Sequence, residues 1–71
     1  MQIVTSVKKV EFHNGPSISI GTILNGGNVV TRIEVQHEEY PGYAEMSIYI
    51  FEGDKPIMKV WNYPVAITYF T

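Results

Sequence analysis

The chain has 71 residues, with 5 basic and 7 acidic side chains and no cysteine. That length makes one domain over 1–71 and excludes disulfides and zinc knuckles. The basic residues Lys8, Lys9, Arg32, Lys55 and Lys59 are dispersed among the carboxylates, so the concentrated basic face that polymeric nucleic acid needs is missing.

In chain order, β-branched and aromatic residues dominate, and no helix start or stop pattern survives. Residues 2–12 read as a first strand. Val4, Val10 and Phe12 share one parity while Val7 has the other, so a strict period of two fails and a bulge or bend is expected. His13-Asn14-Gly15-Pro16 reads as a turn, because Asn-Gly supplies positive φ at low cost. Residues 17–24 read as a second strand, with Ile18, Ile20 and Leu24 on one face. Asn25-Gly26-Gly27-Asn28 turns the chain into a third strand, Val29 to about Glu38, with Val29, Ile33 and Val35 inward.

His37 to Tyr43 reads as a polar connection, with Pro41-Gly42 at the centre of a type II turn. A fourth strand turns Ala44, Met46, Ile48 and Ile50 inward. Glu45, Ser47, Tyr49 and Phe51 form an opposite face too aromatic to be left bare. Glu52 to Pro56 is a further hairpin connection, and residues 57–62 and 65–70 complete the set, with Pro64 at an edge or bend between them. The expected fold is an all-β antiparallel meander of five or six strands, closing into a small barrel or sandwich. Below roughly 70–80 residues one core seldom supplies more than about 3–5 kcal/mol, so a homodimer or homotetramer is expected.

Residues 1–5 lack the basic segment and apolar run of a secretory leader, and no stretch approaches the length of a membrane span. The expected setting is cytoplasmic, with no membrane partner. The hydroxyls of Ser6, Ser17, Ser19 and Ser47 stand in no nucleophile elbow. His37-Glu38-Glu39 are adjacent, so on a strand they point to opposite faces and make a poor metal set. Asn25 to Asn28 lacks the following helix that would hold a phosphate. No catalytic residue, metal or cofactor is therefore assigned.

The aromatics carry more information. Trp61, Tyr63 and Tyr43 offer flat apolar faces to a nucleobase, each stack being worth about 1–3 kcal/mol. Arg32 suits a forked pairing with phosphate, while Asn62 and Thr68 suit a purine edge. The competing use of such rings is to fill a core or a subunit interface.

Three segments carry a family resemblance: Asn25-Gly26-Gly27-Asn28-Val29-Val30-x-x-Ile33-Glu34, Gly42-Tyr43-Ala44-Glu45, and Asn62-x-Pro64-Val65-x-Ile67-x-Tyr69. With them the chain resembles very small β-rich bacteriophage proteins and, in size and character, is similar to the anti-CBASS sponge family. The resemblance implies a viral immune-evasion protein in the host bacterial cytoplasm. It would be a homo-oligomer that sequesters a cyclic nucleotide second messenger, such as cyclic GMP-AMP, without cleaving it. No binding motif of that family is matched residue by residue, so no site is carried over. The alternatives are a protein–protein inhibitor of a host defence enzyme, using the same rings as hot spots, and a small virion accessory subunit.

Overall fold

A computed structural model describes residues 2–61 and 64–70. Six antiparallel strands form one sheet: β1 Gln2–Glu11, β2 Ile18–Ser19, β3 Arg32–Tyr40, β4 Tyr43–Glu52, β5 Lys55–Val60 and β6 Ala66–Tyr69. The order is β2-β1-β3-β4-β5, and β6 pairs with β1. Val7 lies opposite both Ile33 of β3 and Tyr69 of β6, so those strands run along opposite edges of β1. Only β3, β4 and β5 follow one another as a meander. The sheet does not close, so the barrel expected from sequence is not formed: among the described residues β5 pairs only with β4, and β6 only with β1. Pro56 contributes to this, since a residue without an N–H suits an edge strand and cannot donate to a further one.

The break in parity along β1 is a bulge. Its register against β6 shifts between Val7 and Lys9, so Val7 and Val10, three apart, both reach the core with no exposure. The remaining buried side chains among the described residues are Ile18, Val30, Ile33, Val35, Ile48 and Ile50. Met46, Phe12, Leu24, Ile57, Val60 and Ile67 pack around them. Residues 12–31, which contain β2, pack against this core through Phe12, Ile18, Leu24 and Val30.

That segment departs most from the sequence reading. Residues 17–24 do not form a strand: β2 is two residues long, and the chain turns after Ser19. Gly21 takes φ 95°, the Thr22 N–H donates to Ser19 O, and the Ser19 N–H donates to Thr22 Oγ1. Side-chain and backbone bonding of this local kind competes with a ladder and here wins. Ile20 is consequently exposed instead of inward. Val29 is also turned out, and Val30, 1% exposed, takes its place in the core. Val29 is held by its N–H donating to Glu52 Oε2 at 2.8 Å. Thr31 fixes the next step, its N–H donating to Phe51 O and its Oγ1 accepting from the Gly53 N–H.

The turns follow the sequence more closely. Asn14 is at φ 59°, and Gly26 and Gly27 are at φ 93° and 87°. The β3–β4 hairpin is longer than expected. His37 to Tyr40 belongs to β3, and only Pro41 and Gly42 make the turn, with Gly42 at φ 94°. Gly53, at φ 61°, sits at the first central position between β4 and β5, where a type II′ turn requires it. Among the described residues no helix is long and apolar enough to cross a membrane.

Candidate ligand-binding site

The outer face of the sheet carries three of the residues selected from sequence. Cross-strand pairing sets Arg32 beside Phe51, Glu34 beside Tyr49 and Lys59, and Tyr40 beside Tyr43. Long cations cover the rings of this aromatic face. The Arg32 guanidinium lies 4.1 Å from the Phe51 ring centre. Lys59 Nζ lies 4.9 Å from that of Tyr49 and 3.7 Å from that of Trp61. Such stacking lets a charged side chain shield an aromatic face while its head stays wet.

These contacts change what each residue is free to do. Arg32 Nε is buried and stands 3.1 Å from Glu34 Oε2, close enough for an ion pair but without an aligned hydrogen bond. Its guanidinium is therefore engaged by Phe51 and Glu34, and the phosphate-pairing role expected of it competes with both. Tyr43 stacks on Tyr40, ring centres 4.7 Å apart, at the tip of the hairpin. Trp61 remains 64% exposed and borders a shallow hollow of about 150 Å³ with Lys59, Tyr49, Ser47, Glu38 and Glu45. Two carboxylates against one ammonium make that hollow unfavourable to a phosphate. Asn62 and Tyr63 lie outside the described residues.

Thr68 is placed elsewhere, and in better company. It borders an open hollow of about 480 Å³ with Lys8, Lys9, Ser19, Ile20 and Phe70. The hollow crosses three strands, from β2 over β1 to β6. The β1 bulge builds it: the extra residue between Val7 and Val10 leaves two successive lysines outside the core. Lys9 Nζ is 3.1 Å from Glu11 Oε1. Lys8 forms no ion pair among the described residues. Phe70 is 53% exposed and supplies an apolar ring beside the two cations. Cation, hydroxyl and ring side by side can hold a phosphate and stack a planar base.

Sequence reasoning found Thr68 and missed Lys8, Lys9 and Phe70. The signal was present in the parity conflict among Val4, Val7 and Val10, which places a bulge at the lysine pair. A third and larger hollow, about 610 Å³, lies between the 12–28 segment and β5. Its walls are mainly apolar, including Phe12, Ile18, Leu24 and Ile57, and no Lys, Arg, Asp or Glu lines it. Among the described residues no three His, Asp or Glu side chains gather as a metal would require. No protein-family model, curated protein or solved structure matches the chain.

Proposed function

We propose that this protein is a non-catalytic binder that sequesters a cyclic nucleotide second messenger, in the viral immune-evasion role implied by the family resemblance. The observation that supports it is the hollow of Lys8, Lys9, Ser19, Thr68 and Phe70. Its volume of about 480 Å³ falls within the roughly 300–1,000 Å³ of small-molecule sites. Lys8 pairs with phosphate, Phe70 stacks on a base, and Thr68 hydrogen-bonds a base or ribose edge. Arg32, Trp61 and Tyr43 are reassigned from the ligand to the outer face of the sheet.

Calorimetry with cyclic di- and trinucleotides and cyclic ADP-ribose isomers tests this reading. Saturable heat is expected from at least one, weakened about tenfold or more in Lys8→Glu. That loss is the scale of one charge-assisted hydrogen bond, about 1.5–3 kcal/mol. Absence of saturable heat across the panel rejects the proposal.

One observation favours the second reading, an inhibitor acting by protein–protein contact. Trp61, Val65 and Ile23 are each more than 60% exposed, so large apolar side chains remain outside the core at several places. A stoichiometric complex with a host enzyme, lost in Trp61→Ala but retained in Lys8→Glu, would select this reading over nucleotide binding.

A further inference from the structure

The hollow bordered by Trp61 on the outer face of the sheet is hostile to phosphate, and the same chemistry suits the opposite charge. Its two ends differ. At one end the rings of Trp61 and Tyr49 already hold an ammonium, that of Lys59, 3.7 and 4.9 Å from their centres. Among the described residues Lys59 forms no ion pair, so its charge rests on those two rings. At the other end Glu38 and Glu45 lie directly opposite each other on β3 and β4. Glu38 Oε2 accepts from the Tyr40 hydroxyl. Among the described residues no hydrogen bond or ion pair reaches the Glu45 carboxylate. Tyr49, Ser47 and Glu45 occupy alternate positions of β4 and so share this face, each about 7 Å from the next.

We infer that this hollow receives an arginine side chain of a partner protein, with its stem on the Trp61 ring and its guanidinium forked onto Glu45. The volume of about 150 Å³ is below the roughly 300–1,000 Å³ of sites for whole small molecules, and it matches a single side chain. Arginine serves both ends at once. Its stem and planar head lie flat on an aromatic ring, and the head offers parallel donors to a carboxylate. A compact ammonium serves one end only, as Lys59 does. Lys59 therefore competes with the incoming side chain, for the rings and by its charge. A cation between Glu38 and Glu45 also removes a repulsion that the free sheet carries, so binding and stability rise together. That the arginine comes from a protein rests on the protein-contact reading above. The preference of the hollow for a guanidinium does not, and neither depends on the nucleotide reading.

Calorimetry on the full chain tests the inference with a blocked Gly-Arg-Gly peptide and its citrulline counterpart, which keeps the shape and removes the charge. Saturable binding is expected for the arginine peptide alone, with a change in the fluorescence of Trp61, the single tryptophan, and a higher thermal midpoint. Glu45→Gln should weaken binding by up to about fivefold, the scale of a partly exposed ion pair. Trp61→Ala should abolish the saturable heat, and Lys59→Gln should strengthen it. All three side chains are exposed, so the variants are expected to stay folded by circular dichroism. Absence of saturable binding in both the wild type and Lys59→Gln overturns the inference, and so does equal binding of the two peptides. A host-enzyme complex that needs Trp61 but survives Glu45→Gln and excess arginine peptide removes the arginine and leaves the protein-contact reading standing.

Discussion

Tyr40 shows how one contact reaches solution behaviour. Its hydroxyl donates to Glu38 Oε2, and that hydrogen bond, with smaller contributions from desolvation and nearby charge, raises its pKa to about 12. The bond needs the neutral phenol, so folding is favoured while Tyr40 is protonated. This contribution is complete below the unfolded value near 10 and is lost as pH rises through about 12. Ultraviolet titration of phenolate is expected to show a step at about pH 12 that is absent in Tyr40→Phe. Loss of stability between roughly pH 10 and 12 should be shallower in that variant. Lys8 and Lys9 teach a different lesson. Neither stands out in composition, and only the bulge between two enclosed valines makes them neighbours on one face.

At the level of elements, β3 and β4 form the longest pairing, and it is uneven along its length. Near Ile33↔Ile50 and Val35↔Ile48 both members of a pair are enclosed. Toward the tip, Glu38 lies directly opposite Glu45, and like charges so placed weaken a sheet. Glu45→Lys is expected to stabilise the fold by roughly 0.2–1 kcal/mol, read as a higher urea midpoint with an unchanged slope. Gly42 at φ 94° and Gly53 at φ 61° are the turn positions where a Cβ would be strained, although both have open space around them. Gly42→Ala and Gly53→Ala should each cost on the order of 1 kcal/mol for backbone reasons alone, measured by the same unfolding curves. These two hairpins were legible because Pro-Gly and Gly-Asp announce their geometry. The 17–31 segment was not, because Ser17 to Ile20 alternates like a strand while Thr22 diverts it through bonds to Ser19.

For the molecule as a whole, the core among the described residues is eight buried aliphatic side chains. Truncating a central one, Ile50→Ala, is expected to cost about 2–5 kcal/mol. That is comparable with everything such a core supplies. Loss of the cooperative thermal transition is the expected outcome, followed by circular dichroism. The all-β class and the inward positions Met46, Ile48 and Ile50 of β4 could be read from alternation within one strand, whereas Ala44, expected inward with them, is exposed because the hairpin tip runs past the core. Sheet order could not, because β6 returns to β1 across most of the chain and nothing local marks that partner. The candidate site was obscure for the same reason: Lys8, Ser19 and Thr68 become neighbours only when three distant segments are laid side by side.

The outer end of the β3–β4 hairpin contributes nothing to the core. From Glu39 to Glu45 every residue is exposed, and the ring pair Tyr40–Tyr43 closes the tip. A limited protease should nick there first and leave the remaining strands assembled, so this prong is the natural place to splice in a tag or a fluorophore.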